Sequence, residues 1–133
     1  MQVPFKLIAE LEEALDESKY AIQHMYSDRR RYYRQGNSTS WEHVSSFVFP
    51  GTDVWTPTVW KIIASRAGSG GNSRYRLYDS TNANAIAYIY TTSSAITIYN
   101  DTTLNNLPTG EAIFDIQMRY TTDEGRLIYM ALL

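Results

Sequence analysis

Between Ala112 and Tyr120 the 133-residue chain alternates without a fault: Ala112, Phe114, Ile116, Met118 and Tyr120 are separated by Ile113, Asp115, Gln117 and Arg119. Successive side chains of a strand point to opposite faces, so this parity sends one set to a core and the other toward solvent. A helix would scatter the same residues around its axis. Six further segments carry the same signature in weaker form. Val44–Phe49 sets Phe47 and Phe49 on one face and runs into the turn Pro50-Gly51-Thr52-Asp53. Val59–Ala64 is a short apolar run with β-branched residues, closed by the loop Ala67–Asn72, and Tyr75 with Leu77 alternates up to Asp79–Asn84. Ala85–Tyr90 and Ala95–Tyr99 flank the polar stretch Thr91–Ser94. After the turn-rich Asn105–Gly110 and the Ala112–Tyr120 strand, Asp123-Glu124-Gly125 leads into Arg126–Leu132. Seven short strands about ten residues apart predict a mainly β chain whose residues 37–133 form an antiparallel β-sandwich, jelly-roll-like in type.

Residues 1–36 read differently. No Gly or Pro occurs from Phe5 to Arg34, Pro4 suits an early helical position, and Gly36-Asn37 is a helix stop. Glu10, Glu12, Glu13, Asp16 and Glu17 fill the first half, and Arg29, Arg30, Arg31 and Arg34 close the second, a polarity that complements the helix dipole. These features predict an N-terminal α-helix. Ile8, Leu11, Leu15, Ile22 and Met25 form its apolar seam, with Ser18 in the skipped position. Thirty helical residues reach about 45 Å, against a radius of gyration near 13 Å for a domain of about 100 residues. The like-charged pairs Glu12/Asp16 and Glu13/Glu17 also weaken an isolated helix. Such a helix needs a surface, either its own sheet or a second chain. The seam and the arginine cluster are therefore the candidate partner interface.

Composition narrows the chemistry. The chain has no cysteine, which removes disulfides, thiol nucleophiles and cysteine-based metal sites. Twelve basic and fourteen acidic side chains give a net charge of −2, which argues against a general nucleic-acid binder. Residues 1–35 carry six of each sign, so the arginine run with Tyr32 and Tyr33 favours a protein partner over nucleic acid. No apolar run is long enough to span a bilayer and none opens the chain as a signal peptide does, so no membrane partner is expected. His24 and His43 lack spaced metal-ligand partners, and no G-x-S-x-G nucleophile motif occurs. Asp79, Asn82 and Asn84 offer oxygen ligands, but they lack the acidic alternation and distal Glu of a calcium loop and suit side-chain-to-backbone turns. The expectation is a non-enzymatic chain with no metal and no cofactor. Of the tryptophans, Trp60 lies in an apolar strand and belongs to the core. Trp55, in the turn-rich Gly51–Thr58 connection, is the candidate sugar-stacking ring.

Two stretches carry a resemblance. Arg74-Tyr75-Arg76-Leu77-Tyr78-Asp79-Ser80-Thr81-Asn82-Ala83-Asn84-Ala85-Ile86-Ala87 and Asn106-Leu107-Pro108-Thr109-Gly110-Glu111-Ala112-Ile113-Phe114-Asp115-Ile116-Gln117 are similar to β-sandwich modules in structural proteins of tailed bacteriophages and other aquatic viruses. There a strand ends in an RLYD-x-TN turn and a late strand begins after LPxGxA. The similarity spans roughly Trp55 to Leu133 and contains no catalytic signature. It implies a virion component of capsid decoration or cement type, or a neck, tail or fibre part. It also implies a homo-oligomer, with a trimer favoured, that contacts other virion proteins through an N-terminal anchor. The aromatic content supports a different class, a carbohydrate-binding β-sandwich module for host-surface attachment with a glycan as ligand.

Overall fold

Eight strands account for the regular structure of the computed structural model, which describes residues 22–25, 40–66, 72–120 and 125–133. They are β1 (Ile22–Met25), β2 (Glu42–Phe49), β3 (Trp60–Arg66), β4 (Ser73–Asp79), β5 (Asn84–Thr91), β6 (Thr97–Asp101), β7 (Ala112–Tyr120) and β8 (Gly125–Leu132). Strands β2 to β8 are the seven segments expected from alternation. They form two antiparallel sheets, sheet I in the order β1-β8-β3-β6 and sheet II in the order β2-β7-β4-β5. Pairing is nested: β1 lies against β8, β2 against β7, β3 against β6 and β4 against β5. The contacts β3–β8 and β4–β7 then join these pairs into sheets.

The helix expected over residues 5–34 does not hold at Ile22–Met25. These four residues are strand β1, with Ile22 opposite Leu132 and Met25 opposite Tyr129. Ile22 and Met25, read as helical seam neighbours, are thus placed by sheet pairing. The physical reason is β8, whose residues Tyr129, Met130, Ala131 and Leu132 are all fully buried. Without β1 that strand would leave one row of backbone N–H and C=O groups unpaired in the interior, a cost that outweighs local helix propensity. No helix occurs among the described residues. The remaining seam positions Ile8, Leu11 and Leu15, and the cluster Arg29, Arg30, Arg31 and Arg34, lie outside them.

One apolar core lies between the sheets. Sheet I contributes Trp60, Ile62, Ala64, Leu127, Met130 and Leu132, and sheet II contributes Phe49, Tyr75, Leu77, Ile86, Ile89, Phe114, Ile116 and Met118. The parity of β7 is the expected one: Ala112, Phe114, Ile116 and Met118 are buried while Ile113 is 49% exposed. Tyr75 is tolerated inside because its hydroxyl donates to the Ser65 carbonyl at 2.7 Å. Irregularities in pairing reset parity in two strands. One between Leu77 and Tyr78 against Ala87 and Ala85 leaves both Ile86 and Ala87 buried. Another, at Ile63/Ala64 against Tyr129/Leu127, turns Leu127 inward and Tyr129 outward although they are two apart.

The outer faces of the two sheets differ. On sheet I, Ile63, Tyr129 and Ala131 are fully buried in a second cluster with Ile96, Ile98 and Leu133. On sheet II, Val48, Tyr88, Tyr90 and Ile113 are exposed. Among the described residues, sheet II is the layer whose strands present large apolar side chains to solvent.

Candidate functional site

Three connections meet at one end of the sheets, and they include both stretches that carry the resemblance. The β4–β5 turn is closed by Asp79, fully buried, whose carboxylate accepts from the Asn82 backbone N–H at 3.0 Å and the Asn82 side-chain amide at 2.7 Å. Ala83 completes the turn with φ +57°. Ser80 donates from its N–H (2.9 Å) and its hydroxyl (3.1 Å) to the Ile113 carbonyl, and the Ile113 N–H donates to Thr81 Oγ1 at 2.9 Å. The β4–β7 ladder thus continues beyond the strands through side chains of the turn. From the next connection, the Asn105 N–H reaches the Ile86 carbonyl and the Asn106 amide reaches the Ala85 carbonyl. The N–H groups of Thr52 and Asp53 donate to the carbonyls of Pro108 and Thr109 at 2.9 and 3.1 Å.

Between the turn and residues 106–111 lies a cleft of about 440 Å³, with Asp79, Asn82, Asn84, Asn106 and Glu111 among its walls. With the Asp79 carboxylate engaged by Asn82, the wall offers mainly amides, hydroxyls and the exposed Glu111. That set makes hydrogen bonds but pairs no nucleophile with a base. No group of three or more His, Cys, Asp or Glu able to hold a metal occurs among the described residues. Asp79 and Asn82 make the side-chain-to-backbone turn that their residue types suggested, while Asn84 opens β5 opposite Asp79. Replacing Asp79 by Ala leaves the turn amides without their buried acceptor, and the expected loss is about 2 kcal/mol, measured by urea unfolding.

His43, Ser46 and Asp115 form a line on the outer face of sheet II. Ser46 donates to Asp115 Oδ1 at 2.6 Å, and His43 Nε2 lies 2.7 Å from Ser46 Oγ. His43 is also 3.9 Å from the Asp115 carboxylate. Serine is the bridge here, whereas in a hydrolytic triad the imidazole is. The hydroxyl proton points to the carboxylate, so imidazole does not activate the oxygen.

Beside this line, cations and rings are layered across the sheet. Register sets Arg74 opposite Arg119 on β7 and Tyr90 on β5, and Arg76 opposite Gln117 and Tyr88. The Arg76 guanidinium lies 4.4 Å from the centre of the Trp41 ring and 4.3 Å from that of Tyr78, and its Nε donates to Gln117 Oε1 at 2.6 Å. Arg119 covers Trp41 at 5.0 Å, Arg74 sits 5.6 Å from the Tyr90 ring, and Trp41 meets Tyr88 edge-on at 6.1 Å. Each cation–ring contact is worth about 0.5–2 kcal/mol. Desolvation lowers the Arg76 pKa from its ordinary value, with Tyr78 opposing and Arg119 adding to the shift.

Of the site residues read from sequence, Ile22 and Met25 are in β1 and Trp55 is the one other among the described residues. Trp55 is half-buried against the core, its ring 5.9 Å from that of Phe49. Trp60 is fully buried, as its apolar strand implied. The cation–ring layer was not among the residues singled out. The parity that turns Tyr75 and Leu77 inward also turns Arg74, Arg76 and Tyr78 outward, but only sheet register brings Arg119 and Trp41 to them. No family model matches the chain, and neither does any of the curated proteins or solved structures compared with it. No helix among the described residues is long and apolar enough to cross a membrane.

Proposed function

We propose that the chain is a non-enzymatic structural protein of a virion, a jelly-roll sandwich that assembles as a homo-oligomer, with a trimer favoured, through its N-terminal segment. Capsid decoration or cement is the leading position, with neck, tail or fibre in the same class. The observation that carries this reading is the nested strand order, 1 with 8, 2 with 7, 3 with 6 and 4 with 5. Rolled double-sheet architectures of this kind serve in viral capsid and lectin domains. Fold alone assigns no function. Two features add support: the resemblance of the turn patterns to those of virion modules, and loops knitted to one another by hydrogen bonds that close the end of the sheets. The aromatic layer on an exposed sheet face suits contact between proteins.

Native mass measurement of the full chain tests the reading, and a monomer at all concentrations overturns it. Truncation must respect β1, because removing Ile22–Met25 would also open the edge of β8. Deleting residues 1–20 is expected to leave a folded chain that no longer assembles. A truncated chain of unchanged native mass overturns the anchoring role.

The polar cleft favours a second reading, carbohydrate binding for host-surface attachment, with Trp55 as the ring beside the loop end. It requires a monomer whose saturable glycan binding is lost in Trp55→Ala.

A further inference from the structure

The outer face of sheet II carries three arginines beside the His43–Ser46–Asp115 line. Arg74 and Arg76 stand two residues apart on β4, about 7 Å, and Arg119 faces Arg74 across the ladder. Two of these guanidinium groups lack the partners their chemistry calls for. Arg74 Nε is buried with no hydrogen-bond partner. Arg76 has Gln117 as its hydrogen-bond acceptor and no carboxylate among the described residues. Arg76 is partly stripped of water and lies near a second cation, which is why its proton is held less firmly than usual. A carboxylate placed here gains a planar, forked donor already immobilised on an aromatic ring, so little side-chain entropy is lost on binding.

We propose that this face receives the acidic segment 10–17 of a second copy of the chain. The inference rests on the assembly reading above and names the surface that the N-terminal segment meets. Glu10, Glu12, Glu13, Asp16 and Glu17 place five carboxylates in eight positions with no basic residue among them. In the helix predicted there, Glu13 and Glu17 are one turn apart, about 6 Å, close to the spacing of Arg74 and Arg76. Donor and acceptor are different surfaces, so the contact runs head to tail. Repeated around an axis it closes into a ring, which is how a trimer arises from one contact type.

Charge exchange in the full-length protein tests this, with assembly followed by sedimentation equilibrium. The face variant Arg74→Glu/Arg76→Glu/Arg119→Glu and the segment variant Glu13→Lys/Asp16→Lys/Glu17→Lys are each expected to weaken assembly at least about tenfold. Combining both sets in one chain restores opposite charges and is expected to return assembly to within about threefold of the parent. Rising salt weakens the parent and the combined variant alike. If the parent is a monomer throughout, the assembly reading falls and this proposal with it. If the parent assembles and the segment variant does so equally well, assembly stands and the assignment of the face is overturned. The segment variant leaves every described strand untouched, so this outcome holds even where the face variant fails to fold. Failure of the combined variant to regain assembly while folded also overturns it. So does binding of an oligothymidylate strand that is lost in the face variant while native mass stays that of the parent, since the face then serves nucleic acid.

Discussion

Gly51→Ala is expected to lower the unfolding free energy by about 3 kcal/mol, several times the effect of an ordinary surface change. Gly51 has φ +99°, where a Cβ is strained in any surroundings. The added atom would also stand 2.3 Å from the Thr109 carbonyl oxygen and 2.6 Å from the Gly110 carbonyl carbon. These are backbone atoms of a loop already fixed by hydrogen bonds from Thr52 and Asp53, so they cannot swing aside. Thermal unfolding should show a midpoint lower by about 10 °C, with amide exchange at Thr52 and Asp53 accelerated before the rest of the chain. Gly110→Ala is the control. A Cβ there meets nothing within 4 Å, and the expected change is within about 0.5 kcal/mol. The glycine of the LPxGxA pattern is thus the tolerant one, and the glycine beneath it is the strict one.

Phe114→Ala should cost about 3–5 kcal/mol. Phe114 is fully buried, stacks on Phe49 with ring centres 4.7 Å apart and planes 18° apart, and meets Phe47 edge-on at 5.8 Å. Phe49 in turn packs against Trp55. Removing one ring leaves a cavity beneath two others and forfeits aromatic pairing as well as apolar burial. Phe114→Leu keeps most of the volume and should lose about 1.5 kcal/mol or less. Urea unfolding measures both. A loss for Phe114→Ala below about 1 kcal/mol would contradict the ring packing described.

The parity of β7 could be read directly, because a strand half-buried along its whole length leaves its mark at every second position. The same logic located β2 to β6 and β8. It failed at β1, where four residues gain their conformation from the open edge of β8 and carry no marker of their own. It also failed inside β8: Leu127 and Tyr129 share parity in sequence, yet the irregularity between them sends one inward and the other outward. For the candidate site, Asp79 and Asn82 were legible as turn residues, and the Asp79 carboxylate does accept from the Asn82 N–H and amide, whereas Asn84 is the first residue of β5. Arg74 and Arg76 follow as outward-facing from the inward parity of Tyr75 and Leu77. Their union with Arg119 and Trp41 depends on strand order and register, which no local window contains.

The nested order has a consequence for how the chain is made. β4 and β5 are joined by a short turn and can pair as soon as both exist, whereas Ile22 waits for Leu132. Pairings of such wide separation fold slowly, on a scale of about milliseconds to seconds. Strand β8 lies between β1 and β3, so sheet I has no continuous centre until the eighth strand has emerged from the ribosome. Until then the edges of β1 and β3 are open to other nascent chains. The strands of sheet II, β2, β7, β4 and β5, are by contrast all present one strand earlier.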